Sequence, residues 1–223
     1  MFPATHHSLL VDLQSANEPL RRQALDRFVE VYWKPAYKYV RVRWRREPAD
    51  AEDLTQAFFV TLLERETVSR FEAARGSFHG FLRVCIDNFA RDQARAGSAA
   101  RRLSLDFPGA EAELATADPA SSPEELFHRE WQRQVFTLAI GDLERHALEQ
   151  GKQVQFRIFQ EHDLAAGKPS YSDLAARHGL AVTQVTNYLA WARRELRRLA
   201  LERVGGVTDT RLLFEPGDER TSA

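Results

Sequence analysis

Residues Ser170–Leu199 read SYSDLAARHGLAVTQVTNYLAWARRELRRL, and this stretch decides the fold. Ser170 with Asp173 three residues later forms a capping box, so a helix starts there. Tyr171, Leu174, Ala175 and Leu180 give that helix a buried side, and Gly179 suits the left-handed position that ends it. A longer Arg-rich helix follows, with Val182, Val185, Leu189, Ala192 and Leu196 as its inward stripe. Gln184, Thr186, Asn187, Tyr188 and Trp191 are left pointing outward. Two helices joined by a Gly turn outline a helix-turn-helix, whose second helix can enter the major groove of DNA. Asn and Gln pair with adenine edges, Thr meets the thymine methyl, and Arg193 and Arg194 lie where they can reach phosphates. The alternative is a solvated Arg-rich helix in a bundle.

Outward from this stretch, nearly every periodic segment is helical. Leu25, Phe28, Val29, Tyr32, Trp33, Ala36 and Tyr37 make one apolar stripe, with Pro35 predicting a kink or boundary. Beyond Pro48, Asp50 and Asp53 cap a helix carrying Leu54, Phe58 and Leu62. Gly76-Ser77 starts another, with Phe78, Phe81, Leu82, Cys85, Ile86 and Phe89 on its apolar side. Residues 97–122 are rich in Ala, Ser, Pro and Gly, lack a period and carry Asp106, Glu111, Glu113 and Asp118, which reads as an acidic, flexible linker. Ser122-Pro123-Glu124-Glu125 is a helix start, with helices over roughly 123 to 149 and 152 to 165. Gly205-Gly206 ends the last helix and leaves a loose tail over 205–223. The expectation is an all-α chain of two helical domains, 18–96 and 123–204, joined by the linker, with the helix-turn-helix in the second.

Charge and composition narrow the function. The 223 residues hold 31 Lys plus Arg against 32 Asp plus Glu, so the total is near neutral and distribution decides. Between Arg75 and Arg102 six Arg face two Asp, and aromatics interleave with them. Rings that stack on bases beside Arg that hold phosphates suit single-stranded DNA, while the same Phe residues also fit a core stripe. The acids Asp50, Glu52 and Asp53 either complement a helix dipole or form a docking face for a basic partner. Cys85 is the only Cys, which excludes an intramolecular disulfide and fits a reducing cytoplasm. No apolar run approaches the roughly 20 residues that cross a bilayer, so no membrane association is expected. The His residues are scattered, and neither a metal set, a catalytic constellation nor a Gly-rich phosphate loop stands out. The reading is therefore not an enzyme, with no cofactor and no metal.

Three blocks in order carry a resemblance: DAEDLTQAFFVTLLE (Asp50–Glu64), FEAARGSFHGFLRVCIDNFARDQAR (Phe71–Arg95) and the helix-turn-helix. Together they resemble the extracytoplasmic-function sigma factors, small two-domain relatives of the bacterial primary sigma factor, over about Leu20 to Val204. The resemblance implies a transcription initiation factor that binds core RNA polymerase through the β′ clamp helices and the β subunit. Asp50, Glu52, Asp53 and Gln56 would make the clamp contact. Arg75, Ser77, Phe78, Phe81, Asn88 and Arg91 would recognise and melt the −10 promoter element. Gln184, Thr186, Asn187, Tyr188, Trp191, Arg193 and Arg194 would read the −35 element as duplex, and the acidic linker would mimic nucleic acid inside the polymerase.

The chain departs from the family pattern at several positions. Ala181 stands where Ser or Asp usually caps the recognition helix. Tyr188 and Trp191 replace common basic residues, and for Trp191 base contact and packing on a neighbour are both open. Phe81 stands in place of a Trp, and Ala57 follows the Gln of the acidic block where an acid is common. With that face less acidic than usual, phosphorylation of Thr55 would add close to two negative charges, against the simpler reading of a neutral residue. An anti-sigma factor or a Ser/Thr kinase are the regulatory partners this admits. The competing function is a conventional helix-turn-helix regulator that does not act through core polymerase.

Overall fold

A computed structural model of the chain describes residues 9–64, 68, 71, 77–96, 106–114, 122–205 and 213–214. Among these the regular structure is helical, without strands: α1 (Leu9–Leu13), α2 (Glu18–Arg43), α3 (Pro48–Glu64), α4 (Phe78–Ala96), α5 (Phe107–Leu114), α6 (Pro123–Glu149), α7 (Gln153–Phe159), α8 (Tyr171–His178) and α9 (Val182–Val204). A π-helical turn, Gln160–Leu164, follows α7. The protein is all-α. It divides into two compact units, one of Met1–Gln134 with Val204–Ala223 and one of Val135–Arg203, so the division falls inside α6.

The first unit is built around α2. Its N-terminus is capped by Asn17, whose side chain accepts from Leu20 N, and the helix continues through Pro35. Pro35 removes one backbone donor, but the turns around it bury Tyr32, Trp33, Ala36 and Tyr37, which outweighs one missing bond. The expected boundary there is absent. Phe28 stacks on Tyr32 at 4.9 Å and meets Phe59 of α3 and Phe78 of α4, each at 6.0 Å. Helix α3 begins two residues before Asp50, with Pro48 in its first turn, where a missing N–H is harmless. Ser77 caps α4, its Oγ accepting from Gly80 N at 3.1 Å.

Residues 97–122 hold a helix the sequence does not announce. Helix α5 seats Phe107 edge-on against Trp33 and Tyr37, 5.4 and 5.1 Å between ring centroids. The residues on either side of it, 97–105 and 115–121, lie outside the described set. Ser122 and Glu125 form a reciprocal capping box that opens α6. Phe127 then packs on Tyr39 at 5.9 Å and Trp131 on His79 at 4.3 Å. Gly205 closes α9 at φ +53°, and a Cβ there would sit 2.7 Å from Leu9, so glycine is required twice over. Leu9 N donates to Gly205 O at 2.6 Å. Leu213 is buried, so that point of the expected loose tail is packed; most of the tail lies outside the described residues.

The second unit packs Leu143 and Ala147 of α6, Phe156, Ile158 and Phe159 of α7, Leu174 and Ala175 of α8, and Val185, Leu189 and Ala192 of α9 into one core. Val182, placed on the inward stripe by its spacing, is 48 % exposed because it lies in the first turn, ahead of the packed face.

Candidate nucleic-acid interface

In the second unit, the helix-turn-helix is set by local chemistry. Ser170 Oγ accepts from Asp173 N at 3.1 Å while Asp173 accepts from Ser170 N at 3.2 Å. The Ser170 hydroxyl, donating to Asp173 Oδ2 at 2.6 Å, leads in holding the Asp173 carboxyl below its ordinary range, and the Ser170 backbone N–H adds to it. Gly179, at φ +64°, takes the left-handed position and lets Leu180 N reach Ala175 O at 2.9 Å. Helix α9 starts without a Ser or Asp cap. Gln184 instead turns back, its Oε1 accepting from Ala181 N at 2.9 Å. This is the second half of a capping box without the first.

The outward polar set is therefore smaller than its spacing suggests. Gln184 holds the helix start, and Thr186 Oγ1 donates to Val182 O at 3.1 Å. Asn187 is exposed. Tyr188 and Trp191, expected to point outward, are half-buried and pack on the core. The Lys152 ammonium lies 4.8 Å over the Trp191 ring, so of its two readings the structure has the packed one. Arg193 is engaged by Asp163 through two bonds, Nε at 2.7 Å and Nη2 at 2.8 Å. Those bonds lead in holding the Asp163 carboxyl below its usual range, against burial, which raises it. Arg194 is 70 % exposed.

In the first unit, α3 exposes Asp50 and Asp53 and half-buries Glu52. Gln56 is 4 % exposed and donates to Glu52 Oε1 at 3.3 Å, so it orients Glu52 rather than forming surface. Thr55 has no exposed surface, and its Oγ1 finds no partner. A kinase cannot reach that hydroxyl in this fold, which overturns the expectation of a phosphorylation site there.

On α4 the two candidate stacking rings separate. Phe78 is 1 % exposed, surrounded by Phe28, Tyr32, Phe71 and Phe81, and belongs to the core instead of a base-contacting face. Phe81 is half-buried beside Phe71, ring centroids 5.5 Å apart, at the rim of that cluster. Ser77, Asn88 and Arg91 are exposed, with Arg91 Nη1 donating to Asn88 Oδ1 at 3.0 Å. Arg75 lies outside the described residues. Sequence reasoning missed Trp44. It sits at the end of α2 under the Arg91 guanidinium, 5.9 Å from the ring, and donates from Nε1 to Asp87 at 2.9 Å. The signal was the run RVRWRR at 41–46.

The acids of α5 face inward. Glu111 accepts from Arg41 and from Tyr37 Oη, and Glu113 accepts from Lys34 at 3.0 Å and Lys38 at 2.8 Å. Burial raises Glu113, but the lysine bonds outweigh it and hold its carboxyl at about 2. Of the four acids expected to mimic nucleic acid, Glu111 and Glu113 are paired with α2, Asp106 is exposed, and Asp118 lies outside the described residues. Burial pushes the Cys85 thiol up to about 11, which leaves it a poor nucleophile. Among the described residues no group of three or more His, Cys, Asp or Glu is arranged to hold a metal ion, and no helix is long and apolar enough to cross a membrane.

Residues 28–100, from α2 through α4 and just beyond, match the family Sigma-70 region 2. No curated protein and no solved structure matches the chain. The matched segment holds the acidic helix and the aromatic helix, and over it the chain is similar to region 2 of the sigma-70 family.

Proposed function

We infer that this chain is a sigma factor that acts in the cytoplasm as a two-domain initiation factor of the extracytoplasmic-function kind. It binds core RNA polymerase and directs it to promoters through −10 and −35 elements, and it is not itself an enzyme. The observation that carries the reading is the order of parts, a segment similar to sigma-70 region 2 over 28–100 followed by a capped helix-turn-helix over 170–204.

Each surface has a role that its chemistry suits. Asp50 and Asp53, backed by Glu52, offer negative charge at the start of α3 to a basic helical partner such as the β′ clamp, with Gln56 as the support of Glu52. Phe81, at the rim of its cluster, would stack on a base taken out of the duplex, with Ser77, Asn88 and Arg91 toward the strand; Arg75, outside the described residues, joins them by its place in the sequence alone. Flipping a base costs a few kcal/mol, which stacking and phosphate contacts must offset. Asn187 is the foremost reader of −35 base edges, Thr186 supports it, and Arg194 reaches the phosphates.

The test is capture of core polymerase by the purified chain, followed by run-off transcription on a promoter pool. Stable capture and transcription from a subset of promoters support the reading. Tight duplex binding by the chain alone, with no affinity for core polymerase, would establish the conventional regulator instead.

A further inference from the structure

The π-helical turn Gln160–Leu164 carries two carboxylates, and each takes an arginine from a different helix of the helix-turn-helix. Asp163 holds the guanidinium of Arg193, from α9, through two bonds of 2.7 and 2.8 Å. Glu161 accepts from Arg177 Nη1, from α8, at 2.7 Å. An imidazole also meets each carboxylate: His162 Nδ1 lies 2.6 Å from Asp163 Oδ1, the oxygen that Arg193 Nη2 also uses, and His178 Nε2 lies 3.0 Å from Glu161 Oε1, the oxygen Arg177 leaves open. The carboxylates are thereby fixed in place. The arginines stay open to solvent, with side chains 47 % and 55 % exposed for Arg193 and Arg177, against 19 % and 26 % for their acidic partners.

That geometry has a consequence for DNA. The planar fork of a guanidinium binds a carboxylate and a phosphate in the same two-bonded manner. A carboxylate seated on the Nε and Nη2 edge of Arg193 therefore occupies one of the two edges a phosphate would use and offsets the charge that would attract it. A π-turn carries an extra residue relative to the regular helix and recurs at functional sites. Here it brings Glu161 and Asp163 to two arginines that lie 16 and 30 positions further along the chain.

We propose that Glu161 and Asp163 are internal competitors for DNA phosphate. They hold Arg177 and Arg193 neutralised in the free chain and so lower the affinity of the helix-turn-helix for DNA of any sequence. Phosphate contacts supply sequence-independent affinity and base contacts supply choice. Weakening the first leaves Asn187 and Thr186 a larger share of the discrimination. The proposal rests on the reading of α8 and α9 as a duplex-binding unit.

The experiment measures binding of the full chain to a random-sequence duplex by fluorescence anisotropy across a KCl series. Asp163→Asn keeps the shape and removes the charge. It is expected to tighten binding by roughly threefold or more and to steepen the salt dependence by about 0.9, the value of one added phosphate contact. The steeper slope is expected to vanish in the Arg193→Ala background. Glu161→Gln is expected to act in the same direction through Arg177 and serves if Asp163→Asn melts early. Unchanged or weaker binding by the folded variants overturns the proposal, as does a slope gain that survives Arg193→Ala. Failure of the underlying reading shows separately: Asn187→Ala would then leave promoter choice by the polymerase complex unaltered.

Discussion

Lys38 of α2 and Glu113 of α5 lie 75 residues apart in the chain and meet at 2.8 Å, with the lysine wholly enclosed. Glu130 of α6 accepts from the same ammonium. A buried lysine without partners would shed its proton or open the fold, so the two carboxylates are what allow α2 to carry it inside. Through this one ammonium three helices are held together.

Removing one carboxylate leaves the other in place. Glu113→Ala is expected to lower the stability of the folded chain by about 2 kcal/mol, and Lys38→Ala by about 3 kcal/mol or more, because it leaves two acids facing each other. Urea unfolding followed by circular dichroism measures both. Equal and negligible effects would mean that α5 contributes nothing to the fold.

Acid should destabilise the protein in two stages. His79, ordinarily near 6.5, is pushed down to about 3 by burial, with His128 and Arg83 adding to it. Its folded value lies below its unfolded one, so this contribution is full above about 6.5 and is lost as pH falls toward 3. Glu113, ordinarily near 4.5 and held at about 2, adds a second loss between those values. Glu113→Gln is expected to flatten the lower stage and leave the upper one. Stability measured from pH 7 down to about 2 decides the matter.

Thr55 should answer to burial and not to charge. Thr55→Val removes an unpaired hydroxyl while keeping the branched shape, and stability is expected to stay level or rise by up to about 1 kcal/mol. Thr55→Glu places a carboxylate in the core and is expected to cost about 3 kcal/mol or more. A folded Thr55→Glu protein with raised transcription would refute the burial argument.

Phe78 and Phe81 should separate stability from melting. Phe78→Ala opens a cavity in the α2–α4 core and is expected to cost about 3 to 5 kcal/mol. Phe81→Ala is expected to cost about 1 kcal/mol yet to lower strand opening at the −10 element, read by permanganate reactivity of thymines. Undiminished opening would remove Phe81 from the site.

An added cap should strengthen α9. Ala181→Ser supplies the missing half of the box that Gln184 already serves, with an expected gain of about 0.5 to 1 kcal/mol in thermal unfolding. No gain would mean that the Gln184 bond suffices.

Local signals and tertiary contacts divide the remaining account. Ser122 with Glu125, Ser170 with Asp173, Gly179 and Gly205 act on backbone groups within a few residues, so the sequence alone determined where α6, α8 and α9 begin or end. The all-α class and the order of the family blocks were legible for the same reason, because helical period and caps are short-range properties. Which member of a pair faces the core was not. Phe78 and Phe81 stand three residues apart on one stripe, and only the positions of Phe28 and Tyr32 on another helix bury the first and leave the second at the rim. Helix α5 has no period of its own, and its register comes from cations on α2 some 70 residues earlier. Arg193 reads from spacing as a free phosphate ligand, and only the π-turn brings Asp163 to it. Burial and charge pairing depend on distances between segments far apart in the chain, so the tertiary structure alone decided them.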